Sequence, residues 1–166
     1  MNYTLPNKVK DLLDDFQKAK FQIYIVGGAV RDLILGNPVK DWDFTTDATP
    51  EQILKVIPDG FYDNKFGTVG VKATSEVGSD FSEVYEVTTM RKEGIYKDMR
   101  HPSTVSWTNK IEEDLARRDF TINAIALRIL DPQNLHAKTM QTNDIKLIDP
   151  FNGLNDINQK FIRAVR

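Results

Sequence analysis

The sequence predicts an α+β domain with a mixed, mostly antiparallel sheet flanked by helices. Helical and strand patterns follow one another along the chain without the regular alternation of strand and helix that is typical of a parallel sheet. The 166 residues, of which 40% are apolar and 28% charged, are typical of one globular domain that can bury a core. We find no internal repeat or low-complexity segment that would divide the chain.

The first elements are predicted from apolar spacing. A helix is expected over residues 7–19, with Asn7 as its cap. Its apolar face consists of Val9, Leu12, Leu13 and Phe16. Residues 21–26 form a short apolar run that predicts a buried strand, which a pair of glycines ends. A second helix is expected over residues 29–35, where the following Gly36 stops it.

The middle of the chain alternates strands with one helix. Residues 42–46 are predicted to be a strand, and Thr49 then caps a helix whose first residue is Pro50. Two further strands are expected over residues 68–73 and 82–90, which are rich in Val, Thr and Tyr. The polar residues 75–80 between them predict a turn.

The second half is less regular. Residues 91–104 are charged and lack periodicity, so we expect a mobile loop. Residues 110–130 are expected to be largely helical and to become a strand near residue 126. Residues 145–148 predict a last strand, and residues 155–166 the beginning of another helix.

Composition excludes several classes of function. The chain has no cysteine, which excludes disulfides, thiolate metal sites and a cysteine nucleophile. No apolar run approaches the roughly 20 residues that a membrane helix needs, and the polar N-terminus has no signal-peptide core, so we expect a cytoplasmic protein without membrane contact. A net charge of −2 predicts weak binding of nucleic acid by this segment alone.

Two aspartates predict a metal site. Asp41 and Asp43 are two residues apart on the predicted strand, so they share a face, while Trp42 and Phe44 point into the core. Two adjacent carboxylates repel unless a cation neutralises them, and hard oxygen ligands suit Mg²⁺. The alternative is a solvated strand edge that carries two acids.

A diglycine turn precedes these acids. Gly27 and Gly28 join a strand to a helix, whose first N–H groups can bind phosphate, with Arg31 adding charge. The alternative is a tight turn that needs glycine for its backbone angles. The glycine spacing matches neither a Walker loop nor a dinucleotide fingerprint.

Glu86 supplies a third carboxylate. It lies among apolar and β-branched residues of a predicted strand, where an unpaired charge is expensive, unless that strand is an edge with Glu86 facing water. A phosphate-binding turn followed by a carboxylate pair and a third acid is the layout of metal-assisted nucleotidyl transfer.

These motifs resemble one known family. Residues 27–32 (GGAVRD) and 41–51 (DWDFTTDATPE) resemble the signature of the CCA-adding enzymes and bacterial poly(A) polymerases, whose heads belong to the DNA polymerase beta-like nucleotidyltransferases. Further similar stretches follow in family order: residues 66–70 (FGTVG), 86–91 (EVTTMR), 96–102 (YKDMRHP), 114–124 (DLARRDFTINA), 149–153 (DPFNG) and 162–165 (IRAV).

The resemblance implies a polymerase beta-like fold and three catalytic acids. Asp41 and Asp43 would hold two Mg²⁺ ions, and Glu86 would complete the site near the RNA 3′-hydroxyl. Gly27 and Gly28 would lie against the triphosphate.

The resemblance also assigns nucleotide contacts. Arg31 would assist at the triphosphate, and Arg118, Asp119 and Asn123 match the family's ribose-recognition motif. Without the resemblance, residues 117–119 would be interpreted as a surface charge cluster.

The implied activity is addition of CCA to the 3′ end of tRNA from CTP and ATP. Poly(A) addition and a split CC- or A-adding activity remain alternatives, as does a non-catalytic nucleotide-binding or structural fragment, and the oligomeric state stays open. Residues 1–150 would form the head domain and residues 151–166 the start of a neck. The family's base-selecting motif, Glu-Asp-x-x-Arg, is not found before Arg166, so we expect a fragment with poor base selection.

Overall fold

The computed structural model describes residues 4–62, 67–73, 83–93, 96–98, 101–102, 105–130 and 144–166. Within these ranges no helix is long and apolar enough to cross a membrane. The turn expected over residues 75–80 lies outside them.

A seven-stranded sheet forms the centre of the fold, in the order β11-β10-β1-β2-β5-β4-β3. Its strands are β1 (Ile23–Val26), β2 (Asp43–Thr46), β3 (Phe61–Tyr62), β4 (Thr68–Ala73), β5 (Glu83–Thr89), β10 (Ala126–Ile129) and β11 (Ile145–Ile148). Four short strands lie outside this sheet: β6 (Arg91–Glu93), β7 (Tyr96–Asp98), β8 (His101–Pro102) and β9 (Val105–Trp107). The helices are α1 (Asn7–Lys18), α2 (Gly28–Leu35), α3 (Pro50–Val56), α4 (Ile111–Leu115), the 3₁₀ turn η1 (Thr121–Asn123) and α5 (Gly153–Asn158).

Strand pairing within the sheet is antiparallel except between β2 and β5, which run parallel. The mixed, mostly antiparallel α+β sheet predicted from the sequence is therefore confirmed. Because β5 lies between β2 and β4, it is an inner strand and not an edge, although the Glu86 side chain is exposed to solvent.

Each face of the sheet carries its own core. Ile23 and Ile25 of β1 pack in the larger core, with the apolar sides of α1, α2 and α3. Tyr24 and Val26 point the other way and pack with Leu115 of α4. This alternation follows from the two-residue period of a strand, and all four residues of β1 are consequently buried.

Parts of the segment predicted as a mobile loop form short strand pairs. Arg91–Glu93 pairs with Val105–Trp107, and Tyr96–Asp98 pairs with His101–Pro102. The expectation of a loop was wrong for these described residues, because charged residues without apolar alternation can still form a ladder through their backbone groups. The mobility of the segment stays a prediction.

Two helix predictions also need correction. Asn7 does not cap α1: Pro6 is the N-cap, and no side chain makes a cap hydrogen bond there. Residues 110–130 hold only five residues of α-helix, in α4, before η1 and β10.

The last helix begins earlier than expected and is short. The Asp149 carboxylate accepts hydrogen bonds from the backbone N–H groups of Gly153 and Leu154, at 2.7 and 2.9 Å, which fixes the start of α5. After α5 the chain turns at Lys160, whose φ is +55°, and Ala164 then forms an isolated bridge with Phe120. The division into a head and a neck at residue 150 stays a prediction.

Thr49 offers a direct test of local stability. Its hydroxyl accepts from the Gln52 N–H, and the Gln52 side chain accepts from the Thr49 N–H at 2.8 Å, forming the predicted N-cap as a capping box. Thr49→Ala removes one of these bonds and is expected to lower the free energy of unfolding by about 1 kcal/mol. Urea denaturation measures this, and Thr4→Ala, at an exposed position before α1, should change stability by less than about 0.5 kcal/mol. Equal losses in the two variants would contradict the role of the cap.

Candidate nucleotidyltransferase site

A cleft of about 490 Å³ opens where β1 turns into α2 and where the chain enters β2. It brings together the diglycine turn, through Gly28 and Arg31, and the carboxylate pair, Asp41 and Asp43. Its remaining lining residues are Asp32, Asn37, Pro38 and Lys40. Two motifs that are a dozen residues apart in sequence therefore face one cavity.

Gly27 lies where two side chains approach the diglycine turn closely. Its φ of +71° is in a region that side chains rarely adopt. A Cβ atom there would lie 2.8 Å from an Nη atom of Arg118 and 3.5 Å from Oδ2 of Asp43. The backbone angle of the turn therefore favours glycine, as the tight-turn interpretation expects, and the missing side chain leaves room for Arg118 and Asp43 beside it.

The parallel pairing of β2 with β5 sets the carboxylates side by side. Asp43 is in register with Glu86, on the same face of the sheet. Trp42 and Phe44 are 4% and 1% exposed and pack in the opposite core, as expected. Asp41 differs from expectation: it precedes β2, is exposed, and reaches the cleft from the loop rather than from the strand.

The electrostatics of Asp43 reflect this grouping. Burial is the largest cause that raises the pKa of Asp43 above 3.8, and the negative charge of Glu86 is the next. Arg118 acts in the opposite direction, and Asp41 raises the pKa further. All three predicted catalytic acids are thus close enough to interact, and the repulsion among them favours binding of a cation.

The donor chemistry fits Mg²⁺. No group of three or more His, Cys, Asp or Glu side chains within the described ranges is arranged to hold a metal ion by itself. Mg²⁺ does not require one, because it is commonly held by one or two carboxylates and completes its shell with water and substrate phosphates. Asp43, half-buried and repelled by its neighbours, has the character of such a ligand.

Arg118 is a largely buried cation that lies beside Gly27 and is not among the residues that line the cleft. Burial is the largest influence on the pKa of Arg118 and lowers it below its usual value, while Asp114 and Asp43 raise the pKa and Arg117 lowers it. The Nε atom of Arg118 has no hydrogen-bond partner. The guanidinium thus lies between two carboxylates, with Gly27 alongside.

Arg31 connects the helix after the turn to η1. It donates to the Asn123 side chain at 2.8 Å and to the Asp32 carboxylate at 3.0 Å. Two of the predicted nucleotide-binding residues, Arg31 and Asn123, are therefore in direct contact. Asp119 is exposed and is not among the residues that line the cleft.

Asp114, which is fully buried next to the arginine pair, was not predicted as a site residue. Its spacing of three and four residues before Arg117 and Arg118 on a helical segment was a usable signal, since such pairs face each other. Lys40 and Asp32, which line the cleft, were not predicted as site residues either.

Comparisons with known proteins agree with this geometry. The family model for the poly A polymerase head domain matches residues 23–163. A CCA-adding enzyme of Streptococcus mutans is 38% identical over 164 residues, which is 97% of this chain and 36% of that enzyme. A CCA-adding enzyme of Listeria innocua is 41% identical over 160 residues, 95% of this chain and 35% of its own length. The crystal structure of the Bacillus stearothermophilus CCA-adding enzyme in complex with CTP superposes with a TM-score of 0.70 at 33% identity, covering 96% of this chain and 33% of that one.

The mixed sheet and its flanking helices define a nucleotidyltransferase head domain. Because the family model covers most of the sequence, the chain belongs to the poly A polymerase head domain family. The resemblance inferred from the motifs is thereby confirmed. The chain spans about a third of the length of the curated relatives that it matches.

The raised pKa of Asp43 predicts how stability depends on pH. Since the folded pKa lies above the unfolded value, the folded chain binds more protons, and its stability falls as pH rises from the unfolded value through the folded one. Asp43→Asn removes the buried negative charge and its repulsion by Glu86 and Asp41. It is expected to raise the unfolding temperature of the metal-free protein at pH 7, with a gain that shrinks towards pH 4.

Thermal unfolding in a chelator, followed by circular dichroism at both pH values, measures this effect. Asp59→Asn, at an exposed turn, is the control and should leave the unfolding temperature unchanged. A lower unfolding temperature for Asp43→Asn at pH 7 would show that the carboxylate is not under repulsion.

Proposed function

We propose that this chain is the catalytic head of a tRNA nucleotidyltransferase that adds CCA to the tRNA 3′ end from CTP and ATP. The observation that carries the proposal is the convergence of Asp43, Glu86 and Asp41 beside the turn at Gly27. The relatives' names, CCA-adding enzymes, support the choice of RNA and of nucleotides. The structure of one relative in complex with CTP supports a nucleoside triphosphate as the ligand.

The three acids have distinct positions and hence distinct proposed roles. Asp43, inside the cleft and beside Glu86, would be the central metal ligand, and Asp41 would add a second carboxylate from the loop. When bound, Mg²⁺ would supply charge neutralisation at the phosphates and a lower pKa for the attacking hydroxyl. Glu86 lies one strand beyond Asp43, so it would face the 3′-hydroxyl of the RNA.

The remaining residues would bind and orient the nucleotide. Gly27 and Gly28 would let the triphosphate approach the backbone at the start of α2. Arg118 would neutralise phosphate charge from behind Gly27, and Arg31 would hold Asn123 in place. Asp119, exposed beside this group, would accept hydrogen bonds from the ribose hydroxyls.

A net charge of −2 argues that this head binds RNA weakly by itself. Poly(A) addition is the second candidate, and the name of the matched family is the observation that favours it. The absence of cysteine is consistent with action in the cytoplasm, which we retain as part of the proposal.

Primer extension tests the proposed activity. The chain is incubated with Mg²⁺, a tRNA that lacks its CCA end, and CTP and ATP singly and together. Incorporation that requires Mg²⁺ is expected, and Asp43→Asn and Glu86→Gln should each lower the rate by roughly 100-fold or more, because each removes a group acting on transition-state charge. Asp11→Asn, at an exposed position of α1, should retain the full rate.

The outcomes separate the candidate functions. Incorporation of ATP alone, in long tails, would favour poly(A) addition. Binding of CTP and ATP without any incorporation, by a folded chain, would favour a non-catalytic nucleotide-binding module and would contradict the proposal.

A further inference from the structure

Asp114 is the most completely buried acid near the cleft, with 0% of its surface exposed. Its Oδ1 atom accepts from Arg117 Nε at 2.9 Å and from the backbone N–H of Arg91 at 3.2 Å. Its Oδ2 atom lies 3.9 Å from an Nη atom of Arg118 and has no hydrogen-bond partner. One carboxylate therefore links the end of α4 to the first residue of β6.

The two oxygens of Asp114 have different surroundings. Oδ1 is satisfied by Arg117 and by the backbone, which fixes the plane of the carboxylate. Oδ2 is consequently aimed at Arg118 without being bonded to it. A buried charge without a full set of hydrogen bonds is costly, and such a cost is typical of functional sites.

Arg118 faces an acid on each side. Asp114 lies behind it, and Asp43 and Gly27 lie in front, at the cleft. If the charge behind it were lost, the guanidinium would be drawn towards Asp43, where it would occupy the place of a cation and of the phosphates. The position of Arg118 thus depends on a balance between two carboxylates.

We propose that Asp114 is a positioning residue that holds Arg118 back from Asp43, so that the guanidinium is available to the phosphates of an incoming nucleoside triphosphate. This inference rests on the proposed function, since Arg118 must be a triphosphate ligand. Asp114 itself does not line the cleft and acts only through Arg118.

A double-mutant cycle measures this dependence. Equilibrium dissociation constants for CTP with Mg²⁺ are measured by calorimetry for the wild type, Asp114→Asn, Arg118→Ala and the double variant. Arg118→Ala should weaken binding about tenfold or more, and Asp114→Asn about three- to thirtyfold. The double variant should bind no more weakly than Arg118→Ala, because Asp114 has no effect once its target is absent.

Asp47→Asn is the matched control. The Asp47 carboxylate also accepts two hydrogen bonds, from the backbone N–H and the side chain of Gln22, but it follows β2 at the end away from Asp43. Its loss should change the dissociation constant for CTP less than twofold. Thermal unfolding of every variant shows whether a loss of binding follows from a loss of structure.

Two results would overturn the inference. One is additivity, in which Asp114→Asn weakens CTP binding equally with and without Arg118. The other is a folded Asp114→Asn variant that binds CTP as well as the wild type. If Asp114→Asn does not fold, Asp114→Glu takes its place in the same cycle, because this variant keeps the negative charge but displaces it. Additivity with Arg118→Ala would again overturn the inference. Failure of the proposed function gives a different result. The wild type would then show no CTP binding that depends on the triphosphate, or Arg118→Ala would bind CTP no more weakly than the wild type.

Discussion

The parallel register between β2 and β5 is the constraint on which the site depends, because it holds Asp43 and Glu86 side by side. Burial of Asp43 and, next to it, the negative charge of Glu86 raise the pKa of Asp43, so the ionised pair is unfavourable without a cation. It persists because the opposite faces of the same strands are anchored: Phe44 and Val87, paired in the next register position, are 1% and 0% exposed. Burial of each such side chain stabilises the fold by roughly 1.5–3 kcal/mol. This stabilisation offsets the repulsion between the carboxylates, so the core maintains the site.

The cleft is formed by close approach as much as by charge. Gly27 leaves space for Arg118 beside Asp43, and Arg118 reaches that space from the segment between α4 and η1. The loop residue Asp41 completes the acidic side from the entrance of β2. The strand β2 thus contributes a carboxylate, the turn at Gly27 contributes space, and the segment after α4 contributes a guanidinium. The seven-stranded sheet fixes the relative placement of these elements.

The sequence predicted those features that depend on local pattern. The apolar run of β1, the Thr49 cap and the glycine turn follow from spacing and residue type alone. The pairing of Arg91–Glu93 with Val105–Trp107 and of Tyr96–Asp98 with His101–Pro102 was not predicted, because ladder hydrogen bonds involve backbone groups that every sequence has. The role of Asp114 was not predicted either, because an acid among arginines on a helix resembles an ordinary exposed cluster until its burial is known. Convergence of Asp43 with Glu86 needed the strand order, which spacing does not provide.

The distribution of charge around the cleft bears on the form in which the proposed nucleotide would bind. Its two described arginines are each close to an acid: Arg31 to Asp32 at 3.0 Å and Arg118 to Asp114 at 3.9 Å. Their positive charge is therefore largely balanced locally, while Asp43 gains repulsion from its neighbours. A free triphosphate would add further negative charge to this acidic surface, whereas its magnesium complex brings the missing cation with it. Under the proposed function, this balance of charge favours binding of the nucleotide as its metal complex.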